Sequence, residues 1–144
     1  MCFACGLENP SGLHLRFQDD GRDEVFAELT IGPEHQGYPG VVHGGIVAAI
    51  LDEVGGRTVM IGDHLRFFIT AKMDLKFRRP VPVGTPLRAV GRLVKQRERL
   101  AIARAEIRTL EGAVLAEAEM LLTDIPPDVL KPGEADRLGW RVYD

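Results

Sequence analysis

The chain has 144 residues, which fits a single domain large enough to bury a core of its own. Its net charge of −3 argues against nucleic-acid binding, which usually requires a basic surface. The sequence contains neither an apolar run near the ~20 residues that span a bilayer nor the pattern of a secretory signal peptide. We therefore expect a cytoplasmic protein that binds neither nucleic acid nor a membrane.

The two cysteines, Cys2 and Cys5, form a C-x-x-C pair at the start of the chain. Structural zinc sites usually have four protein ligands, and the sequence offers no second pair of this kind. We interpret the pair as two reduced thiols in a loop; the alternative is a metal held jointly by the pairs of two subunits. No cluster of His, Cys and Asp residues has metal-ligand spacing, so the sequence predicts no metal and no cofactor.

Alternating apolar residues predict a strand at residues 13–17 and a second strand at residues 25–31. A long helix is predicted from about residue 44 to about residue 59. The glycine pair Gly55-Gly56 lowers the helix propensity inside this segment. The pair therefore predicts that the helix bends or ends there.

Four further strands are predicted, at residues 71–77, 87–96, 99–108 and 114–122. From residue 125 onward prolines and glycines interrupt the pattern, so residues 125–144 are predicted to form a tail with Trp140 as its anchor. An apolar helix is most easily buried when an antiparallel sheet curls around it. We therefore predict an α+β domain at residues 1–124.

The predicted helix is apolar on every side, yet it carries Asp52 and Glu53, and it begins with two glycines directly after His43. A buried carboxylate is costly unless it is paired or does chemistry. The unpaired N–H groups at a helix start are suited to stabilise a developing negative charge. Together these features predict an active site.

The glycine-rich run at residues 37–45, with Asp52 nine positions after His43, is followed by the segment 70–84. These motifs resemble the hotdog-fold thioesterase superfamily, of the phenylacetyl-CoA and 4-hydroxybenzoyl-CoA thioesterase kind, and residues 2–15 are similar to a lead-in found in some members. The resemblance implies a curved antiparallel sheet wrapped around one long central helix. It implies hydrolysis of an acyl-CoA to free acid and CoA without a cofactor. It also implies a homodimer, commonly paired into a homotetramer.

The resemblance implies roles for individual residues. Asp52 matches the catalytic acid, which acts as general base or as nucleophile. The backbone N–H of Gly44 matches the group that polarises the thioester carbonyl, and His43 matches a residue that helps to orient it. Thr70 matches a Ser or Thr that positions the attacking water in some members.

Two further residues are candidates for binding the substrate. Many relatives have an amide side chain six positions before the histidine, where this chain has Gly37, and Gln36 is the candidate substitute. Gly45 has no side chain and so lets a ligand approach the backbone closely. Four arginines are interpreted either as a solvated rim or as ligands for CoA phosphates: Arg78, Arg79, Arg97 and Arg99.

One helix cannot bring both halves of this site together. The nine steps from His43 to Asp52 span about 13.5 Å and place the two residues on opposite faces of the helix. We therefore expect a site shared between antiparallel helices of a homodimer.

Strand alternation places Thr70 beside Lys72 on the polar face, so Thr70 reaches the site only if that face meets the partner or the strand is irregular. Glu53 is the alternative base, and otherwise a salt-bridge or interface residue.

An acyl-CoA thioesterase is the leading interpretation, and three other functions are the alternatives. An acyl-thioester hydratase would need an Asp–His pairing that the sequence does not show. A non-catalytic acyl-CoA-binding sensor would use the same pocket without a buried base. A structural oligomerisation domain would leave the carboxylate of the apolar helix as an unexplained cost.

Overall fold

The computed structural model describes residues 1–131, 133–135, 139–140 and 142 of the chain. These residues contain six strands, one α-helix and two short 3₁₀ turns. In chain order the elements are β1 (Gln18–Asp19), β2 (Glu24–Leu29), a 3₁₀ turn (Pro33–His35), α1 (Gly44–Gly56), a second 3₁₀ turn (Arg57–Met60), β3 (Phe68–Phe77), β4 (Leu87–Gln96), β5 (Leu100–Thr109) and β6 (Val114–Asp124).

The described strands form one antiparallel sheet in the order β1-β2-β4-β5-β6-β3. Helix α1 packs against this sheet and contacts β3, β4, β5 and β6. Its side chains Val47, Ile50, Leu51 and Val54 are buried in the core that it forms with the strands. The predicted α+β arrangement, a curved antiparallel sheet around one central helix, is confirmed.

The helix approaches the sheet closely at β4. A Cβ atom at Gly91 would overlap the carbonyl oxygen of Val54 on α1. Because glycine alone leaves room for that carbonyl, the spacing between strand and helix depends on this position.

Helix α1 ends at Gly56, short of the predicted bound near residue 59, and the chain tightens into 3₁₀ geometry at Arg57. Of the two outcomes predicted at Gly55-Gly56, a bend or an end, the structure shows the end. Thr58 in this turn is fully buried, and its Oγ1 donates a hydrogen bond to the Gly55 carbonyl at 2.7 Å. The bond satisfies a hydroxyl group whose burial would otherwise destabilise the fold.

The predicted first strand at residues 13–17 is wrong. The short strand that joins the sheet is Gln18–Asp19. The N–H of Leu13 donates instead to the carbonyl of Phe3 at 2.8 Å. The alternation of apolar residues predicts a strand of the sheet here, but the hydrogen-bond partner of this segment is the N-terminal segment.

The other predicted strands are confirmed. β4 has its predicted bounds, β3 begins three residues before its predicted start, and the remaining bounds differ by no more than two residues. Within the described ranges no helix has the length and apolar character needed to cross a membrane.

Gly91→Ala is expected to destabilise the protein, because the new Cβ must push the helix away from the strand. We expect the free energy of unfolding to fall by about 1–3 kcal/mol, the usual cost of overpacking. Gly56→Ala is the control, since a Cβ there meets nothing within 4 Å and alanine favours the helix by about 0.5–1 kcal/mol. Denaturant unfolding measures both variants. Equal changes in the free energy of unfolding for the two variants would contradict the close approach of α1 to β4 at Gly91.

Candidate active site

Asp52 on α1 and Thr70 on β3 form a hydrogen-bonded pair. Thr70 Oγ1 donates to Asp52 Oδ1 at 2.5 Å, and both residues are half-buried. The structure thus brings together the residues that the sequence analysis named as the base and as the group that positions water.

A β-bulge explains how Thr70 reaches Asp52. In the pairing of β3 with β6 the register shifts between Thr70 and Lys72, which leaves Ala71 without a partner. Regular alternation would place Thr70 on the exposed face with Lys72. The extra residue reverses that alternation and turns Thr70 toward α1. The irregular strand was one of the two conditions under which Thr70 was expected to reach the site.

The Asp52–Thr70 pair lines a cavity of about 390 Å³. The other lining residues are five apolar side chains and three residues near the end of the helix: Met60, Phe67, Phe68, Ile69 and Trp140, then Glu53, Gly56 and Arg57. A cavity in which polar groups converge beside apolar side chains can hold a small molecule.

The start of α1 offers a free backbone donor. His43 caps the helix, and its Nδ1 accepts a hydrogen bond from the Gly45 N–H at 2.9 Å. The Gly44 N–H belongs to the first helical residue and has no acceptor in the described part of the chain. Gly44 rather than Gly45 is therefore the donor available at the positive end of the helix dipole.

A second cavity, of about 310 Å³, lies beside the helix start and is lined in part by Arg78 and Arg79. Arg78 donates to Glu117 through Nε at 3.0 Å and through Nη2 at 2.7 Å. This hydrogen bonding, with the charge of Arg78, holds the pKa of Glu117 below its usual range. The guanidinium of Arg79 has no ion-pair partner among residues 1–131, 133–135, 139–140 and 142, so it is available to an anion.

Gln36 lies in the turn that precedes the helix. Its Oε1 accepts a hydrogen bond from the Gly40 N–H at 3.2 Å, and its backbone pairs with Val42. No hydrogen bond joins it to Asp52 or Gly44 in the described structure. The amide oxygen of Gln36 thus supports the turn, while its amide nitrogen stays open to other partners.

Within one chain the two halves of the candidate site are far apart. Gly44 and Asp52 are eight residues apart, which is about 12 Å along α1. The cavity beside the helix start and the cavity beside Asp52 share no lining residue. One chain therefore does not present the backbone donor and the carboxylate to the same substrate atom.

Glu53, next to Asp52, has different neighbours. Its Oε1 accepts hydrogen bonds from Arg57 Nε at 3.0 Å and Nη2 at 2.7 Å, as expected for a salt-bridge residue. The sulfur atoms of Cys2 and Cys5 and a carboxylate oxygen of Glu53 all lie within 4.8 Å of one another. Burial, together with the charge of Glu53, raises the pKa of the Cys5 thiol to about 12.

This cluster of thiols and carboxylate could not be predicted from the sequence. Glu53 is 51 residues from Cys2, and no local pattern connects them. The only signal was the C-x-x-C spacing itself.

Arg57 connects the cluster to the tail. Its guanidinium carbon lies 5.0 Å from the ring centroid of Phe17 and 4.2 Å from that of Trp140. Trp140 also packs edge-on against Phe67, with 5.7 Å between the ring centroids. Each such cation–π contact is worth about 0.5–2 kcal/mol. Trp140, the expected anchor of the tail, thus forms part of the wall of the Asp52 cavity.

Residues 39–116 match the family described as the thioesterase superfamily. The chain belongs to the thioesterase superfamily. The matched region runs from the turn before α1 into β6 and includes Gly44, Asp52 and Thr70. The family that the sequence motifs resemble is therefore confirmed.

Individual thioesterases show how far the likeness extends. Acyl-coenzyme A thioesterase THEM4 of Bos taurus is 27% identical over 128 residues, which are 88% of this chain and 52% of that protein. The chain thus spans about half the length of this relative. A thioesterase superfamily protein of known crystal structure is 32% identical with a TM-score of 0.73, covering 81% of this chain and 57% of that one.

A more distant thioesterase protein, from Streptococcus pneumoniae and solved with coenzyme A, has a TM-score of 0.69 at 17% identity. The match covers 82% of this chain and 90% of that chain. At this identity the likeness shows the fold alone. It agrees with the hotdog arrangement of this thioesterase-superfamily chain.

Trp140 is the only tryptophan of this superfamily member, so its fluorescence reports the docking of the tail. Arg57→Ala removes the cation that contacts the indole ring, and we expect the emission to shift to longer wavelength and acrylamide quenching to increase. Arg99→Ala is the matched control, because Arg99 pairs with Asp124 instead. Unchanged emission in Arg57→Ala would contradict the contact.

Proposed function

We propose that the protein is an acyl-CoA thioesterase, which uses water to hydrolyse an acyl-CoA to a free acid and CoA. The observation that carries this proposal is the hydrogen-bonded Asp52–Thr70 pair in the wall of a cavity that polar groups and apolar side chains line together. Membership of the thioesterase superfamily supports it, and so does the likeness to THEM4, which is named an acyl-coenzyme A thioesterase.

Asp52 is the general base in this proposal. Thr70 occupies Oδ1, and Oδ2 has no donor in the described structure, so Oδ2 is free to accept a proton from water. The Thr70 oxygen keeps lone pairs that accept a hydrogen bond from the same water, which fixes its position. The water oxygen bonds to the carbonyl carbon while its proton passes to Asp52. The carbon–sulfur bond then breaks, and CoA leaves as a thiolate that takes up the proton.

Gly44 and His43 hold the carbonyl oxygen of the thioester. The Gly44 N–H stabilises the negative charge that develops on this oxygen in the transition state. Because His43 Nδ1 accepts the Gly45 N–H, the proton of the neutral imidazole is on Nε2, which becomes a second donor. Gly45 contributes by holding this tautomer and by leaving the backbone open to the substrate.

The base and the backbone donor belong to different subunits. Two antiparallel α1 helices related by a two-fold axis bring Gly44 of one subunit beside Asp52 of the other and create two equivalent sites. Strand β3 is an edge of the sheet, where unpaired backbone groups allow a second copy to pair. We therefore propose a homodimer, further paired into a homotetramer.

The two cavities suit different parts of an acyl-CoA. The apolar wall beside Asp52 suits the acyl group. Arg79 at the helix start suits a CoA phosphate, and the free amide nitrogen of Gln36 suits a polar group of the substrate. The likeness to THEM4, which is named an acyl-coenzyme A thioesterase, supports a CoA ester as the substrate class.

Asp52→Asn is expected to lower kcat by about 10²–10⁴-fold, the usual contribution of a general base. Thr70→Val loses the hydroxyl and is expected to lower kcat less, whereas Thr70→Ser keeps the hydroxyl and most of the activity. Release of CoA from short, medium, long-chain and aromatic acyl-CoA substrates measures these effects and identifies the preferred acyl group.

Asp74→Asn is the matched control, because Asp74 is an exposed carboxylate on the same strand as Thr70 and pairs with Lys72. Full activity of Asp52→Asn would place the base elsewhere, with Glu53 the next residue to test. Binding of acyl-CoA by the wild type without turnover would favour the sensor interpretation.

Mixed dimers test whether the site is shared, and Gly44→Pro supplies one of the two chains. Proline is favoured at the first helical position, and His43 has the extended backbone (φ −58°, ψ 136°) that a following proline requires. The variant therefore removes one N–H without breaking the helix, and we expect kcat to fall by about 10²–10³-fold. Gly44→Ala keeps the N–H and is the control, since its Cβ would lie 3.4 Å from the Phe77 ring.

Chains that carry Gly44→Pro and chains that carry Asp52→Asn are each expected to be nearly inactive. A mixed dimer of the two has one intact site if sites are shared, so random mixing should restore about a quarter of the wild-type activity. Native mass spectrometry verifies that mixed dimers form. Mixed dimers that stay inactive would contradict the shared site.

A further inference from the structure

We propose that Cys2, Cys5 and Glu53 form a binding site for a zinc ion. Their sulfur and carboxylate oxygen atoms lie within 4.8 Å of one another, and Cys2 Sγ is 3.9 Å from Glu53 Oε2. Zinc bonds of about 2.3 Å to sulfur and about 2.0 Å to oxygen place neighbouring tetrahedral ligand atoms roughly 3.6–3.8 Å apart. The ligand atoms therefore lie close to the positions that an ion requires.

The turn that carries the two cysteines has a defined structure. The Gly6 N–H donates to the Cys2 carbonyl at 3.0 Å, and a Cβ at Gly6 would overlap that carbonyl, so the turn requires glycine. Ala4, between the cysteines, is buried in the core, and its carbonyl accepts the Leu15 N–H at 2.9 Å. Because both thiols are already held beside α1, less conformational entropy is lost when an ion binds.

Glu53 is held with one oxygen available. Arg57 occupies Oε1, which leaves Oε2 facing Cys2. Outer partners that orient a ligand in this way are a regular feature of metal sites. The charges also balance: two thiolates and one carboxylate carry three negative charges, which Arg57 and a divalent ion neutralise.

The donor atoms determine the class of metal. Thiolates are soft ligands that select zinc and similar ions over magnesium and calcium. Three protein ligands leave a fourth tetrahedral position for water. Because Glu53 is next to Asp52, the proposed base, the ion would link the N-terminal turn to this part of α1. This inference departs from the sequence-based expectation of no metal, and it does not depend on the proposed function.

Cobalt(II) is the probe for this site, because its thiolate complexes absorb where the protein does not. Titration of the reduced, metal-free full chain is expected to show one ion per chain and a thiolate-to-cobalt band that zinc removes. Cys2→Ser and Cys5→Ser should each lose most of this band. Glu53→Gln should keep the band but bind at least about tenfold more weakly. Glu111→Gln, an exposed carboxylate in a turn, is the matched control.

Circular dichroism verifies that each variant is folded. Absence of the thiolate band in the reduced wild type would overturn the proposal, as would a band that survives both serine substitutions together. One ion per two chains would also overturn it, because the metal would then lie between subunits. Equal affinity of Glu53→Gln and Glu111→Gln would remove Glu53 from the site.

Discussion

The burial of α1 is the constraint on which the rest of the structure depends. A helix enclosed by a sheet must be apolar on its sides, and every polar group that it carries needs a partner. Asp52 has Thr70, Glu53 has Arg57, and the hydroxyl of Thr58 has the carbonyl of Gly55. All of these groups lie in the C-terminal part of the helix or just beyond it. These pairs satisfy polar groups in a part of the chain where Leu51, Val54 and Thr58 are fully buried.

The two adjacent carboxylates show how one buried helix supplies two environments. Neighbouring residues of a helix are turned about 100° from each other, so Asp52 and Glu53 meet different parts of the fold. Asp52 meets a hydroxyl on the edge strand and lines a cavity that has apolar side chains in its wall. Glu53 meets a guanidinium and two thiols of the N-terminal turn. A single hydroxyl partner leaves Asp52 free to accept a proton, whereas Arg57 neutralises Glu53.

Elements with a strong local pattern could be predicted from the sequence. The helix start after His43, its end at Gly55-Gly56 and the strands β4 to β6 all follow from residues close together in the chain. The first strand was misplaced because the partner of Leu13 is the N-terminal segment, which alternation does not reveal. The face of Thr70 was also out of reach, because the bulge at residue 71 exists only in the pairing with β6.

The candidate site likewise combines residues that the sequence predicts with contacts that only the structure shows. The motif indicated Asp52, His43 and Gly44, but only the structure shows that the Gly45 N–H is already bonded to His43. That bond leaves Gly44 as the donor and fixes the tautomer of the imidazole, two facts that spacing does not contain. The thiol–carboxylate cluster joins residues 51 positions apart, so it depends on the tertiary fold alone.

The proposal of a second subunit follows from the length of this helix. A helix of this length places its N-terminal donor and its interior carboxylate about 12 Å apart, farther than one thioester carbonyl can reach. The Gly44 N–H and the Asp52 carboxylate also differ in angular position around the helix, so a shorter helix would still not direct both groups toward one substrate atom. A two-fold axis removes both conflicts, since the start of one helix then lies beside the interior of the other. In the proposed dimer, the helix that stabilises each subunit thus supplies half of each site.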